Sequence, residues 1–107
     1  MSFTLATWNI NSVRLREPIV LQLLREEAPD VLCLQECKSP VEFIPTAGFA
    51  DLGYPHMVAR GQKGYNGVAI LSKIPLEDAG SLDLAQLGHA RHVAARLPNG
   101  VTIHNHY

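Results

Sequence analysis

The hydrophobic and polar positions near the start of the chain follow a strand, helix, strand order. Residues 3–9 are rich in aromatic and β-branched side chains and end at a turn signal in residues 9–12, which predicts a first strand. Residues 18–27 carry apolar side chains at helical spacing, with Pro18 suited to the first turn, so they predict an amphipathic helix. Residues 31–34 are continuously apolar, which is typical of a strand covered on both faces.

This strand, helix, strand order predicts a βαβ unit. Its crossover should be right-handed, so the two strands should be parallel and their carboxyl ends should meet at one edge of the sheet. Asn9 and Glu36 follow these two carboxyl ends in the sequence. Because sites in open α/β sheets lie at that edge, Asn9 and Glu36 become the first candidate site residues.

Two antiparallel hairpins are predicted after this unit. Residues 54–60 and 67–72 flank the glycine-rich turn 61–66, and residues 91–97 and 101–107 flank the turn 98–100. The stretch between the βαβ unit and the first hairpin contains Pro40, Pro45 and Gly48, and it is predicted to be a loop. The pattern therefore predicts an α/β fold with a mixed sheet.

Composition narrows the class of protein. A chain of 107 residues forms one domain at most, and 47% hydrophobic with 18% charged residues is typical of an ordered globular protein. The sequence has neither a secretory signal nor an apolar run of about 18 residues, so we expect a cytoplasmic protein with no membrane association. Cys33 and Cys37 are expected to be reduced thiols.

The charge distribution says more than the net charge of −1, which is not typical of a nucleic-acid-binding protein. Acidic Glu77, Asp78 and Asp83 cluster in one predicted late loop. Basic residues fall just after predicted strands or in turns, where they could create a local positive field: Arg14, Arg16, Lys38, Arg60 and Lys63.

Asn9, Asn11 and Glu36 offer oxygen ligands at the predicted sheet edge. Mg²⁺ prefers one or two carboxylates together with water and substrate phosphate oxygens, so these three residues could form a magnesium site. The alternative is structural, because an asparagine after a strand commonly makes a turn and a glutamate there is commonly solvated. Spacing alone leaves both interpretations open.

The turn 61–67 has many backbone amides and one lysine, Lys63, and could hold a phosphodiester. It lacks the Gly-Lys-Ser/Thr ending of a P-loop, and Asn66-Gly67 is also a strong signal for an ordinary hairpin turn. Arg14, Lys38 and Arg91 could each neutralise a phosphate or be ordinary solvated charges. Tyr107 could equally be a packing residue.

A zinc site is a further alternative, because the chain contains several thiol and imidazole groups. The spacing is poor, since neither Cys-x₂₋₄-Cys followed by paired histidines nor His-Glu-x-x-His occurs in usable form. The groups in question are Cys33, Cys37, His89, His92, His104 and His106. A zinc-bound hairpin module would retain stoichiometric zinc on purification.

Three ordered motifs carry a family resemblance that covers essentially the whole chain. They are Thr-Trp-Asn-Ile-Asn-Ser-Val-Arg at 7–14, Leu-Gln-Glu-Cys-Lys at 34–38, and Gly-Gln-Lys-Gly-Tyr-Asn-Gly-Val-Ala-Ile-Leu-Ser at 61–72. In order and spacing they resemble the opening motifs of exodeoxyribonuclease III and the related abasic-site endonucleases. The resemblance implies a four-layer α/β sandwich with mixed β-sheets, of which residues 1–107 would be the N-terminal part of a single domain.

The resemblance also implies an activity and partners. The protein would be a magnesium-dependent DNA repair nuclease, with Mn²⁺ as an alternative ion, that acts as a monomer when full length. It would cut duplex DNA 5′ to abasic sites and at 3′ ends, including blocked ones. In these terms Asn9 and Glu36 would bind the metal, Asn11 would arrange metal-bound waters, and Tyr107 would contact the scissile phosphate. Lys38 matches a lysine of the site, and further residues match positions that face the DNA backbone: Arg14, Tyr65, Asn66 and Arg91. Lys63, in the basic turn, is also expected to contact DNA.

The sequence departs from the family pattern in one important respect. A Gly-Asp-x-Asn segment, whose aspartate positions the attacking water in the family, and a late Ser-Asp-His segment are both absent. The 107 residues alone are therefore expected to be inactive. The rival hypotheses are a non-catalytic DNA- or protein-binding fragment and another phosphoester hydrolase of the same fold, such as deoxyribonuclease I, a sphingomyelinase or an inositol polyphosphate phosphatase.

Overall fold

The computed structural model describes residues 3–62, 64–81 and 89–107, which form two β-sheets and two α-helices. The first sheet has the strand order β1-β2-β4-β3. Its strands are β1 (Leu5–Asn9), β2 (Val31–Gln35), β3 (His56–Arg60) and β4 (Val68–Ser72). Strands β1 and β2 pair in parallel, and β4 pairs antiparallel with both β2 and β3, so the sheet is mixed as predicted.

Helix α1 (Glu17–Glu26) connects the two parallel strands, which confirms the βαβ unit. Pro18 stands in the first turn, where its missing N–H leaves no helical hydrogen bond unmade. Val20 and Leu24 are buried against the first sheet, whereas Ile19 is half exposed. Helix α1 begins and ends one residue earlier than the range 18–27 that the sequence predicts.

The second sheet is antiparallel and has the order β5-β6-β7, with β5 (Glu77–Asp78), β6 (His92–Arg96) and β7 (Thr102–His106). The predicted hairpin of β6 and β7 is confirmed. The predicted acidic loop is corrected in part, because Glu77 and Asp78 form the edge strand β5. Asp83 lies outside the described residues.

Two hydrophobic cores explain why these layers stack. One core lies between the helices and the first sheet and includes Val20, Leu34 and Phe49. The other lies between the two sheets and includes Cys33, Ile70 and Val93. Strand β2 is buried on both faces because it contributes to both cores, as its continuous apolar sequence predicts. In the described parts of the chain, no helix covers the outer face of the second sheet.

The predicted loop after β2 is wrong in one part, since Thr46–Asp51 form a second helix, α2. A 3₁₀ turn, Val41–Phe43, precedes this helix. Six residues are too few to display a helical period, and α2 is held by the burial of Phe49 and by its contact with α1. Over the described residues, no helix has the length and apolar character needed to cross a membrane.

Candidate functional site

The candidate site lies at the edge where the parallel strands β1 and β2 end. Asn9 is the register partner of Gln35, so Asn9 and Glu36 emerge side by side. The loops that follow remain joined, because the N–H of Ser12 donates to the carbonyl of Glu36 at 2.8 Å and that of Val13 donates to Cys37 at 2.9 Å. The predicted meeting of the two carboxyl ends is therefore confirmed as geometry.

Several residues at this edge have left-handed backbone conformations that are rare outside glycine. The φ angles are 52° at Asn11, 90° at Ser12, 54° at Glu36, 53° at Lys38 and 55° at Asn66. Such conformations cost about 1–3 kcal/mol each and cluster at functional sites, where the surrounding structure holds them in place. The sheet edge therefore combines polar side chains with a backbone that is held in an unfavourable conformation.

Tyr107 reaches this edge from the second sheet. It directly follows β7, and its hydroxyl group donates a hydrogen bond to Glu36 Oε1 at 2.5 Å. This hydrogen bond, together with the negative charge of Glu36, raises the pKa of Tyr107 above its ordinary value. The phenol therefore keeps its proton at neutral pH and can donate it in a hydrogen bond.

Arg91 fixes the end of the strand that carries Tyr107. Its Nε donates to the carbonyl of Tyr107 at 2.9 Å, and its guanidinium carbon lies 5.1 Å from the centre of the Tyr107 ring. The N–H of Tyr107 in turn donates to the carbonyl of Arg91 at 2.8 Å. Arg91 is exposed, so its guanidinium group remains accessible to an anion beside the phenol.

Lys38 and Asn11 lie together, but Arg14 does not join them. Lys38 Nζ donates to Asn11 Oδ1 at 2.5 Å, which links the loops after β1 and β2. The guanidinium group of Arg14 instead lies 5.6 Å from the centre of the Phe43 ring, on an exposed surface. Arg60, another candidate from the charge pattern, lies at the end of β3 in the first sheet. Its guanidinium group forms a bidentate ion pair with Asp78, on β5 of the second sheet, with both N–O distances at 3.0 Å.

The glycine-rich turn is attached to the same edge by backbone hydrogen bonds. The N–H of Lys38 donates to the carbonyl of Asn66 at 2.8 Å, and that of Cys37 donates to Gly67 at 3.0 Å. Tyr65 is exposed, and its ring stands perpendicular to the His89 ring, with 5.9 Å between the ring centroids. Lys63 lies outside the described residues. The turn thus borders the site.

The donor groups at the edge fit a magnesium ion better than a zinc ion. Asn9 and Glu36 supply one amide and one carboxylate, which is the sparse protein ligand set that Mg²⁺ accepts when water and phosphate oxygens complete its shell. Among residues 3–62, 64–81 and 89–107, no three His, Cys, Asp or Glu side chains are grouped so that they could hold a metal ion.

Of the groups of the alternative zinc site, three histidines on the second sheet lie together, with His92 Nε2 3.0 Å from His104 Nδ1 and 5.9 Å between the His92 and His106 ring centroids. Among the described residues they do not form a group that could hold a metal ion. Cys33 and Cys37 face different cores, and burial raises their pKa values to about 11 and about 12, which disfavours the thiolate that zinc requires. His89 contacts Tyr65, whereas His92 and His104 stack on the second sheet with 5.3 Å between ring centroids.

Sequence reasoning missed three amides that support this edge. Gln62 Oε1 accepts hydrogen bonds from the N–H of Ala90 at 2.5 Å and from Asn66 Nδ2 at 3.1 Å, so it ties the turn to the segment before Arg91. Gln35 and Asn105 are hydrogen-bonded to each other at 2.7 Å between the sheets. The sequence did contain one signal for Asn105. Apolar and polar residues alternate along β7, and Asn105 is a polar residue at a position where this alternation calls for an apolar one.

Comparison with curated proteins identifies two DNA enzymes as relatives. Exodeoxyribonuclease III of Haemophilus influenzae is 40% identical over 67 residues, which cover 63% of this chain and 25% of that protein. DNA repair nuclease APEX1 of Danio rerio is 36% identical over 73 residues, which cover 64% of this chain and 24% of that protein. The chain therefore spans about a quarter of the length of these relatives.

Comparison with solved structures and family models gives the same result. An AP endonuclease from Archaeoglobus fulgidus has a TM-score of 0.88 and 39% identity, over 99% of this chain and 41% of that one. The 3′ phosphatase NExo from Neisseria, bound to a product DNA hairpin, gives the same four values. The model of the Endonuclease/Exonuclease/phosphatase family matches residues 6–107. This chain therefore belongs to the Endonuclease/Exonuclease/phosphatase family.

Proposed function

We propose that the protein is a Mg²⁺-dependent DNA repair nuclease that hydrolyses phosphodiesters 5′ to abasic sites and at 3′ ends of duplex DNA, blocked ends included. The observation that carries this proposal is the contact between the Tyr107 hydroxyl and Glu36, beside Asn9, at the sheet edge. It joins a phenolic donor to a potential metal ligand in a chain whose relatives are named as DNA enzymes.

Each side chain of the edge has a role in this proposal. Glu36 and Asn9 hold the ion, and a Mg²⁺ or Mn²⁺ ion bound there would polarise a phosphoryl oxygen and stabilise the leaving alkoxide. Tyr107, whose hydroxyl meets Glu36 in the free protein, would turn that hydroxyl toward the scissile phosphate and donate a hydrogen bond to it. Asn11, held by Lys38, orients water at the mouth of the site.

The DNA strand is proposed to run along the border formed by the glycine-rich turn and Arg91. Asn66 and Tyr65 lie in that turn, and Arg91 stands next to Tyr107. Lys63 belongs to the same turn, and Arg14 is exposed in the segment that follows β1. Both residues are proposed to contact phosphates. Contacts of this kind supply affinity and register without reading the base sequence.

The 107 residues alone are proposed to be inactive. The sequence contains neither a Gly-Asp-x-Asn nor a Ser-Asp-His segment, so no group in it matches the family's aspartate that positions the attacking water. Removal of a positioned general base typically lowers the rate by about 10²- to 10⁴-fold, and effects of groups that act together do not add simply. We propose that residues 1–107 act as part of a single monomeric domain that supplies these groups.

The test is hydrolysis by the product of the complete reading frame. Three substrates are compared at equal concentration, with Mg²⁺ and with EDTA: an abasic duplex, a duplex with a 3′-phosphate, and an inositol polyphosphate. The proposal predicts that both DNA substrates are turned over when Mg²⁺ is present and that the inositol polyphosphate is not. Turnover of the inositol polyphosphate alone would favour another hydrolase of the family, and DNA binding without any turnover would favour a non-catalytic DNA-binding protein.

A further inference from the structure

Asn105 is a buried amide in the otherwise apolar layer between the two sheets. It lies on β7, and only 2% of its surface is exposed. Its Nδ2 donates to the carbonyls of Leu34 and Ala69, both at 2.9 Å, which are register partners on β2 and β4. Its Oδ1 accepts from Gln35 Nε2 at 2.7 Å, and the same Gln35 nitrogen donates to Thr7 Oγ1 at 2.8 Å. We call this chain of hydrogen bonds the amide bridge.

The amide bridge is attached to both sides of the contact between Tyr107 and Glu36. Gln35 directly precedes Glu36, and Asn105 stands two residues before Tyr107, on the same face of β7. The first sheet therefore carries Glu36 next to one end of the bridge, and the second sheet carries Tyr107 next to the other end. Any sliding of one sheet over the other would stretch the bridge and the Tyr107 contact together.

Stability alone is a poor explanation for an amide at this position. Burial of an amide is costly unless every hydrogen bond is made, and replacing a buried hydrogen-bonded pair by apolar side chains of the same shape can leave stability nearly unchanged. The surrounding contacts, made by residues such as Val93 and Ile103, are apolar and therefore non-directional. Hydrogen bonds are directional, and a fully satisfied buried network selects one arrangement of the core.

We infer that Asn105 and Gln35 are positioning residues that align the two sheets so that the Tyr107 hydroxyl meets Glu36. The catalytic part of this inference rests on the proposed nuclease function, whereas the alignment itself does not. A displacement of about 1 Å at a reacting group can lower a rate by about 10²-fold. We therefore expect loss of the bridge to lower kcat much more than it raises KM.

The test uses two variants that break the bridge and one that does not. Asn105→Leu keeps the size of the side chain but removes all its donors and acceptors, and Gln35→Met does the same at a half-buried position that folding tolerates more easily. Ile103→Ala is the matched control, because it lies on the same strand and the same face and weakens the same core without touching the bridge.

The first readout is structural and needs no activity. Nuclear Overhauser contacts between the Tyr107 ring and Glu36 are measured in the protein encoded by the complete reading frame, with contacts between β6 and β7 as the measure of folding. We expect both bridge variants to lose the Tyr107 contacts and keep the β6–β7 contacts, and Ile103→Ala to keep both sets. If Asn105→Leu does not fold, Gln35→Met alone decides the result.

The second readout is incision of an abasic duplex by the protein that the complete reading frame encodes, with kcat and KM measured separately. We expect a fall in kcat of about 10²-fold in the bridge variants and little change in Ile103→Ala. Retention of the Tyr107–Glu36 contacts in a folded bridge variant would overturn the inference, as would their absence from the wild-type protein. A wild-type protein that does not cleave DNA would instead refute the proposed function, and the structural readout would still judge the alignment.

Discussion

Substitution of Gly61 by alanine should destabilise the protein strongly, because backbone atoms occupy the space that a side chain would need. A Cβ atom on Gly61 would lie 2.4 Å from the carbonyl oxygen of Ser39, 2.7 Å from the nitrogen of Val41 and 3.0 Å from the carbonyl carbon of Pro40. The first two distances are shorter than real Cβ contacts allow and the third is unusually tight, and backbone cannot rotate away as a side chain can. The segment that follows Lys38 must therefore separate from the turn.

The size of the effect can be set against a glycine in the same turn. Gly64 has a φ of +84°, and a Cβ there would meet nothing within 4 Å, so Gly64→Ala carries only the strain of a left-handed alanine, about 1 kcal/mol. Gly61→Ala carries the overpacking cost instead, about 3 kcal/mol. Both substitutions restrict the unfolded chain equally, so that contribution cancels in the comparison.

Thermal and urea denaturation, followed by circular dichroism, measure this difference. For a domain of this size each kcal/mol corresponds to about 4–8 °C, so we expect Tm to fall by more than about 12 °C in Gly61→Ala and by about half of that or less in Gly64→Ala. Equal melting of the two variants would refute the close approach of the turn to residues 39–41, and with it the described attachment of the turn to the site.

Three further predictions concern the site and the cysteines. Tyr107→Phe should keep the fold, because the hydroxyl lies at an exposed position, but should lower kcat of the complete reading frame by about 10²-fold; an unchanged kcat would remove the phenol from the mechanism. Lys63→Ala should reduce the slope of log affinity for DNA against log salt by about 0.9, and an unchanged slope would take that lysine off the DNA surface. Burial raises the pKa values of Cys33 and Cys37 to about 11 and about 12, so neither thiol should react with Ellman's reagent at pH 8 until the chain unfolds; rapid labelling of the native chain would contradict their burial.

The sequence predicted the sheet edge because that edge depends on local pattern and chirality. The strand, helix, strand order and its right-handed crossover bring Asn9 and Glu36 together without knowledge of the rest of the fold. The β3–β4 and β6–β7 hairpins are also local, since their turns carry Asn66-Gly67 and Asn99-Gly100.

What the sequence could not supply is the relation between the two sheets. Tyr107 was selected by resemblance, and its contact with Glu36 depends on how the sheets stack, which no local period encodes. The buried Asn105 was missed for the same reason. Arg60 was grouped with the basic residues near the site, but its partner Asp78 lies far along the chain on β5, so only the tertiary structure reveals the pair.

The proposed function places the metal-dependent catalytic centre at the edge that bears Asn9, Glu36 and Tyr107. The most direct test is the Mg²⁺ dependence of abasic-duplex incision by the complete reading frame, compared between wild type and Glu36→Gln, with Glu42→Gln as the control because Glu42 is exposed and outside the edge. We predict that Glu36→Gln requires much more Mg²⁺ for half-maximal incision and loses about 10²-fold or more in kcat/KM, while Glu42→Gln matches wild type. Equal Mg²⁺ dependence and equal rates in all three proteins would contradict the assignment of this edge as the active site.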